Sequence, residues 1–396
     1  ETPTALAVAE PAVHGGWTEM TWKALRQRVG AVAQGLLNLK LPAEDPVVVL
    51  SDNSLDHLVL LLAGMHVGRP VCTVSSGYCR LAGGDYARIH GILNALRPAL
   101  IYAQDAATYG PAVKSSGLKA VVVFSHGADT FKGARTFESL ATTQETSAVM
   151  EAFAQVTPDT HAKYLLTSGS TGHPKVVINT HRMLCANQQM LRQCMIFLAQ
   201  EPPVLVDWLP WNHTFGGNHN VGLVIYNGGT LHVDDGKPTP ALMHETLRNL
   251  REIAPTVYFN VPTGFEAIAN AMKTDDALRR TLLSRVRMFF YAGAALAQPI
   301  WDSLYESQER EIGERIVMGT GLGMTESGPF GIFVTNPHVK AGDLGVNMAE
   351  LAASLQPMVG GLEVTRYEEN TEQYVIFVRG GAEFRSTDEG AQPPLS

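Results

Sequence analysis

One stretch of the chain places four hydroxyl side chains, two glycines and a lysine beside apolar runs: Leu165-Leu166-Thr167-Ser168-Gly169-Ser170-Thr171-Gly172-His173-Pro174-Lys175. Glycines let backbone N–H groups approach an anion closely, hydroxyls donate further hydrogen bonds, and lysine adds a mobile positive charge. The stretch is not a Walker A loop, because its glycine spacing differs and Val176 follows the lysine where that motif has Ser or Thr. It predicts an anion-binding loop between two strands. The alternative is a flexible surface hairpin, for which such residues are common.

Outward from this loop, short apolar runs alternate with segments of helical periodicity. Before the loop, Pro46 to Leu50 and Pro70 to Val74 predict buried strands, and Asp52-Asn53-Ser54 is a helix cap for the run Leu58 to Met65. Strands are also predicted at 17–22, 98–102, 120–124, 162–166, 176–179, 204–208, 230–233, 256–260 and 288–291. The alternation indicates an α/β fold whose largely parallel sheets are covered by helices on both faces.

Three regions are predicted from the change in this pattern. An N-terminal αβ subdomain spans residues 1–148, and a second αβ subdomain with the phosphate loop spans 149–342. Runs at 362–366 and 373–379 predict a β-hairpin, so residues 343–396 begin a small, incomplete β-rich subdomain. We expect the two αβ subdomains to pack together and the active site to lie where they meet.

Composition excludes several classes of partner. The net charge is −8, from 30 basic and 38 acidic residues, which is the wrong sign for nucleic acid or an anionic membrane. The longest apolar run, Leu58 to Met65, is far shorter than the roughly 20 residues that cross a bilayer. The four cysteines have no C-x-x-C spacing, which favours free thiols and a cytoplasmic location.

Four ordered motifs resemble those of the adenylate-forming superfamily, which contains acyl-CoA synthetases, peptide-synthetase adenylation domains and luciferases. The loop at 165–175 is similar to its phosphate-binding motif. The other three are Trp208-Leu209-Pro210-Trp211-Asn212-His213-Thr214-Phe215-Gly216-Gly217, Tyr291-Ala292-Gly293-Ala294-Ala295-Leu296 and Gly321-Leu322-Gly323-Met324-Thr325-Glu326. The resemblance covers about residues 17–379 and implies that the bound anion is the triphosphate of ATP.

The resemblance also implies a role for each site residue. The ATP site would consist of Thr167, Ser168, Gly169, Ser170, Thr171, Gly172, Lys175, Gly293, Ala294, Ala295, Gly321, Leu322, Gly323 and Thr325. Catalytic roles would fall to Lys175, His213, Thr325 and Glu326, with Glu326 holding Mg²⁺, a hard cation that prefers oxygen ligands. Leu322 stands where the superfamily often has tyrosine, so apolar contact would replace stacking on adenine.

The segment around His213 is closest to that of feruloyl-CoA synthetases. Trp211, His213, Phe215, Gly216 and Gly217 would form the acyl pocket, and His213 would orient the substrate carboxylate. A histidine between aromatic residues is also typical of a buried core. As metal ligands, His213 and His219 lack a third ligand at suitable spacing. The implied reaction joins an aromatic acid such as ferulate to coenzyme A through an acyl-adenylate.

Four alternatives stay open. They are an adenylation domain that loads a carrier-protein thiol, another aryl- or acyl-CoA ligase, a nucleotide-binding protein without catalysis, and an α/β protein that binds no nucleotide. The superfamily's Thr-Gly-Asp motif and its C-terminal lid with a catalytic lysine are not recognisable in this sequence. We therefore expect the lid to be absent and these 396 residues to bind nucleotide but turn over slowly. A homodimer is left open by the sequence.

Overall fold

The computed structural model describes residues 2–42, 44–80, 84–167 and 175–335, and the backbone of two strands at 365–369 and 372–376. The strands are β1 (Leu6–Pro11), β2 (Trp17–Thr21), β3 (Val47–Leu50), β4 (Val71–Val74), β5 (Leu100–Asp105), β6 (Val121–His126), β7 (Arg135–Thr136), β8 (His161–Thr167), β9 (Lys175–Thr180), β10 (Val204–Asp207), β11 (Thr230–Val233), β12 (Val257–Asn260), β13 (Met288–Tyr291), β14 (Val317–Gly323), β15 (Phe330–Val334), β16 (Thr365–Glu369) and β17 (Glu372–Ile376).

Helices connect most of these strands. They are α1 (Trp22–Asn38), α2 (Leu55–His66), α3 (Ala87–Leu96), α4 (Ala106–Ser115), α5 (Phe137–Ala141), α6 (Ser147–Ala154), α7 (His181–Cys194), α8 (Val221–Asn227), α9 (Met243–Glu252), α10 (Pro262–Met272), α11 (Asp276–Leu283) and α12 (Gln298–Ile312). A π-helical segment, Phe215–Asn220, leads directly into α8. Ser54 caps α2 as predicted, since its hydroxyl accepts the backbone N–H of His57 at 3.3 Å.

The largest sheet has seven strands in the order β7-β6-β5-β3-β4-β8-β9. Its members are parallel except for β9, which runs antiparallel to β8 at one edge. Every residue of β3 and β4 is buried, as expected for central strands covered on both faces. The strands on either side of the predicted anion-binding loop therefore form one edge of this sheet.

Two four-stranded sheets complete the main body. One has the order β10-β11-β1-β2 and the other β12-β13-β14-β15, and each ends in one antiparallel pair. Pairing of β1 with β11 and of β4 with β8 joins strands from both sides of residue 148. The predicted domain boundaries stay predictions, and the one at 148/149 does not coincide with a division between sheets.

The fold class agrees with the sequence-based prediction of mixed α/β structure built from largely parallel sheets. β16 and β17 form the predicted antiparallel hairpin, with the first strand starting three residues later than expected. All four cysteines are free, as predicted. Within the described ranges, no helix is both long and apolar enough to span a membrane.

Candidate active site

A cavity of about 850 Å³ lies where three of the four predicted motifs meet. Its wall is mostly apolar and consists of Trp208, Leu209, Pro210, His213, Thr214, Phe215, His219, Val261, Phe290, Ala292, Gly293, Ala294, Ala295, Gly321, Leu322, Gly323, Pro329, Phe330 and Ile332. That volume falls within the range of small-molecule sites, which are commonly apolar with a few placed polar groups. The structure thus brings eight of the predicted nucleotide and acyl residues to a single concave surface: His213, Phe215, Gly293, Ala294, Ala295, Gly321, Leu322 and Gly323.

The loop after β13 forms one side of the cavity. Gly293, Ala294 and Ala295, which were predicted for the nucleotide site, line it, and all three are exposed. Gly293 has a φ of +92°, a conformation that side chains with a Cβ rarely adopt. The turn therefore depends on glycine, and the small residues after it leave room for a flat group.

The end of β14, the parallel neighbour of β13, forms the adjacent part of the wall. Gly321, Leu322 and Gly323 line the cavity. Leu322 is the residue for which the sequence predicts apolar contact with adenine in place of aromatic stacking. A Cβ at Gly323 would overlap the carbonyl oxygen of Pro329, and one at Gly321 would lie 2.6 Å from the carbonyl oxygen of Ile332. Glycine at both positions allows β15 to pack this close to β14.

His213 lies in the cavity wall just before the π-helical segment. Its Nδ1 accepts the backbone N–H of Phe215 at 3.2 Å, so the proton of the neutral ring is carried by Nε2. The ring is open to the cavity, yet the surrounding protein lowers the pKa of His213 through loss of solvation. At neutral pH this side chain is an uncharged hydrogen-bond donor at the cavity wall.

Trp211, Gly216 and Gly217, which were predicted for the acyl pocket, are not among the residues that line this cavity. The Trp211 ring is 1% exposed and packs edge-on against His57, with 4.9 Å between ring centroids. A Cβ on either glycine would overlap the carbonyl oxygens of the Leu209–Trp211 segment. These three residues hold the loop and the π-helical segment together behind the wall. Phe215 does line the cavity, as predicted.

Lys163 on β8 supports the same segment and was missed by sequence reasoning. Its side chain is fully buried, and Nζ donates to the carbonyl oxygen of Gly217 at 2.8 Å. Burial lowers the pKa of Lys163 to about 7. Its sequence signal was a lysine inside a predicted strand. That is unusual, because a charged residue is rarely found in a strand buried on both faces.

Four buried side-chain amides, Asn179, Asn187, Gln188 and Asn218, connect the predicted site segments, and we call them the amide network. Asn179 on β9 donates to the Thr325 carbonyl at 3.3 Å and accepts from Asn218 of the π-helical segment at 2.8 Å. Asn187 on α7 donates to the Ser327 carbonyl at 3.3 Å, and Gln188 donates to the Asn218 carbonyl at 3.0 Å.

The amide network therefore holds the strand after the phosphate loop, the acyl-pocket segment and the Thr325–Glu326 turn in fixed relation. Sequence reasoning missed all four residues. Amides are mostly exposed in proteins, and nothing in the local sequence marks these four as buried.

On the phosphate side, Thr167 and Lys175 are Cα partners at the open end of the β8–β9 ladder. Lys175 is exposed, and within the described residues no carboxylate pairs with it. β9 also packs on the Thr325–Ser327 turn, through Asn179, which lies four residues along the strand from Lys175 and donates to the Thr325 carbonyl. Predicted residues Ser168, Gly169, Ser170, Thr171 and Gly172 lie outside the described residues.

Glu326 fits the role of a magnesium ligand. Mg²⁺ at nucleotide sites commonly uses one or two carboxylates and takes its other oxygens from phosphates and water. Glu326 stands at the start of a short turn after β14, and no described residue forms a hydrogen bond or ion pair with its carboxylate. No cluster of three or more His, Cys, Asp or Glu side chains suited to a metal occurs in the described ranges. A single carboxylate matches a metal held jointly with ATP.

Comparisons with known proteins agree with this geometry. The family model for AMP-binding enzymes matches residues 2–375. The chain is 25% identical over 317 residues to 4-coumarate–CoA ligase 3 of Arabidopsis thaliana, covering 75% of this chain and 49% of the relative. It is 29% identical over 154 residues to the peroxisomal long-chain acyl-CoA synthetase 6 of the same plant, covering 37% of this chain and 21% of that protein.

Solved structures share the fold. The anthranilate–CoA ligase AuaEII in complex with anthranoyl-AMP superposes with a TM-score of 0.66 at 18% identity, covering 85% of this chain and 59% of that one. This chain spans about half or less of the length of the two curated relatives. The family match, in contrast, covers almost the whole described chain. The chain therefore belongs to the AMP-binding enzymes of the adenylate-forming superfamily.

Proposed function

We propose that the protein is an ATP-dependent acid–CoA ligase that activates an aromatic acid of the hydroxycinnamic class, such as ferulate, as its acyl-adenylate. The single observation that carries this proposal is the 850 Å³ cavity, which has His213 and Phe215 on one wall and the two glycine-rich turns on the other. Relatives that include a 4-coumarate–CoA ligase support the aromatic class.

In the first step, a carboxylate oxygen of the acid attacks the α-phosphorus of ATP, and the bond to the leaving pyrophosphate breaks. Both reactants are anions, so catalysis depends on positioning and on neutralising charge. His213, with its proton on Nε2, donates a hydrogen bond that orients the carboxylate. Lys175 and Thr167 hold the β- and γ-phosphates, and Thr325 contacts the α-phosphate.

A magnesium ion, held by Glu326 and the phosphates, would supply Lewis-acid neutralisation of the phosphate charge. In the second step, the thiol of coenzyme A attacks the acyl carbonyl, and AMP leaves with the bonding electrons. The thiol proton passes to solvent or to a neighbouring base. No covalent bond to the enzyme is needed, and among the described residues no cysteine lines the cavity.

An apolar cavity of this kind also suits a fatty acid, and one relative is a long-chain acyl-CoA synthetase. Phe215 and Phe290 are part of the wall, where Phe215 meets the His219 ring edge-on and Phe290 stacks on it, and Phe259 packs edge-on against His219 from behind. These aromatic side chains favour a flat ring over a long flexible chain as the bound acyl group, because edge-to-face contacts between rings are stabilising.

The test is acid-dependent exchange of pyrophosphate into ATP, with ferulate, 4-coumarate, benzoate and octanoate compared in turn. We expect the hydroxycinnamates to give the highest kcat/KM, and coenzyme A to be acylated when it is added. Preference for octanoate over every aromatic acid would refute the substrate class. Transfer to a carrier protein but not to coenzyme A would favour a carrier-loading adenylation domain.

A further inference from the structure

His219 has a hydrogen-bonding atom for which the protein provides no partner. The residue is 2% exposed, yet it forms part of the cavity wall. Its Nδ1 lies 2.8 Å from Oδ1 of Asn220, whereas its Nε2 is buried and has no hydrogen-bond partner in the described part of the chain. A buried polar atom without a partner costs roughly 1–3 kcal/mol, so its presence in a binding cavity requires an explanation.

The hydrogen bonds behind His219 define which nitrogen carries the proton. Asn220 donates from Nδ2 to Oδ1 of buried Asp207 at 3.0 Å, and the same oxygen accepts the backbone N–H of Leu209 at 3.3 Å. The amide of Asn220 therefore turns its carbonyl oxygen toward His219. Since that oxygen only accepts, Nδ1 of His219 is the donor, and Nε2 of the neutral ring presents a lone pair.

Three aromatic rings fix the orientation of this lone pair. Phe259 and Phe215 meet the His219 ring edge-on, with centroids 4.9 and 5.4 Å away, and Phe290 stacks on it at 5.8 Å. Burial lowers the pKa of His219 to about 4, so the ring is uncharged at neutral pH. The result is a preoriented acceptor among apolar groups, six residues along the helical segment from the donor His213.

We propose that Nε2 of His219 accepts a hydrogen bond from a hydroxyl or amino group on the ring of the acid, and so selects hydroxylated or aminated aromatic acids over unsubstituted ones. This inference rests on the proposed function, and it adds a residue that determines specificity. His213 holds the carboxylate end of the acid and His219 recognises the other end. An acid without a donor would leave the buried nitrogen unpaired, which is the most effective way for a site to reject an analogue.

The test compares 4-hydroxycinnamate with 4-methylcinnamate, and 3-hydroxycinnamate with 3-methylcinnamate, because a methyl group has nearly the size of a hydroxyl but cannot donate. Acid-dependent ATP–pyrophosphate exchange gives kcat/KM for each acid with the wild type and with His219→Phe. His232→Phe is the matched control, since His232 is also buried with a pKa lowered to about 4 but lies outside the cavity wall.

We expect the wild type and His232→Phe to prefer at least one hydroxy acid roughly 10- to 100-fold, and His219→Phe to lose that preference. Equal use of the hydroxy and methyl acids by the wild type overturns this inference and leaves the ligase proposal intact. A preference retained by His219→Phe also overturns it. Absence of exchange with every acid instead refutes the proposed function.

A second measurement needs no variant. In ¹⁵N NMR of the wild type, Nε2 of His219 is expected to shift on binding the hydroxy acid, as an acceptor nitrogen does when it gains a hydrogen bond, but not on binding the methyl acid. Equal shifts with both acids, or no shift with either while the acids bind, would contradict the proposed contact.

Discussion

At the scale of single residues, several buried ionisable side chains have pKa values shifted toward the neutral form. Burial lowers the pKa of His57 and His219 to about 4 and that of Lys163 to about 7, and it raises the pKa of Asp207 to about 8. Each of these groups forms at least one hydrogen bond to its surroundings. Neutral groups of this kind fix geometry without the desolvation cost of a buried charge.

The first prediction concerns stability in acid. His57 has a pKa of about 4 when folded and about 6.5 when unfolded, so between these values the unfolded chain binds the extra proton and acid favours unfolding. In His57→Gln, this contribution is missing. We expect the unfolding free energy of the variant to fall less steeply than that of the wild type, by up to about 1.4 kcal/mol per pH unit between pH 6.5 and 4.

The measurement is urea unfolding of both proteins at several pH values. The difference between the two proteins is the useful quantity, because Asp207 acts in the opposite direction. Its pKa is raised on folding, so it contributes stability that is lost as pH rises from about 4 to 8. Parallel pH profiles for variant and wild type would show that His57 is charged in the fold.

The second prediction concerns Lys175. In Lys175→Ala, pyrophosphate exchange should fall at least tenfold in kcat/KM, because loss of a charged phosphate contact costs roughly 1.5–3 kcal/mol. Stability should change little, since the side chain is exposed. Lys132→Ala is a suitable control, because Lys132 is also exposed and precedes β7, at the opposite edge of the seven-stranded sheet from β9. Equal activity of the two variants would argue against a phosphate role.

At the scale of secondary-structure elements, the amide network determines how the site segments are held. We predict that Asn179→Ala destabilises the protein by roughly 1–3 kcal/mol, because the Thr325 carbonyl and the Asn218 amide each lose a buried partner. Exchange activity should fall as well, since the Thr325–Glu326 turn is no longer tied to β9. Asn270→Ala, on the exposed face of α10, should change neither property. A stable but inactive Asn179 variant would mean that its role is chemical.

A further prediction concerns the π-helical segment. Gly216→Ala should destabilise the protein by roughly 1–3 kcal/mol, because the new Cβ would overlap the carbonyl oxygens of Leu209 and Pro210. Gly91→Ala is the matched control on α3, where a Cβ meets nothing within 4 Å. It should be neutral or stabilise by up to about 1 kcal/mol. Thermal unfolding of both variants checks this, and an unaffected Gly216→Ala protein would show that the segment can move away.

At the scale of the whole molecule, the sequence predicts elements better than their pairing. Continuous β-branched runs identified β3 and β4, and the loop between apolar runs identified β8 and β9. Pairing of β1 with β11 joins residues more than 200 positions apart, and no local pattern indicates it. β1 itself was missed, because its run is short and contains Pro11 at its end.

The same limit applies to the site. The order of the motifs was enough to predict the residues that line the cavity at Gly293–Ala295 and Gly321–Gly323. Trp211 is buried away from the cavity, because an aromatic residue in such a motif can face the core as easily as a ligand. The order of the motifs missed Lys163 and the amide network, whose roles depend on hydrogen bonds between distant segments.

The central claim is that one cavity holds an acyl group and a nucleotide as a single adenylate. The most direct test is calorimetric binding of a non-hydrolysable hydroxycinnamoyl-adenylate analogue, with its acyl sulfamate in place of the acyl phosphate, against AMP and the free acid. Since analogues of reaction intermediates commonly bind 10² times or more as tightly as substrates, we predict that the analogue binds at least about 100-fold more tightly than either part. An analogue that binds no more tightly than AMP would contradict the account.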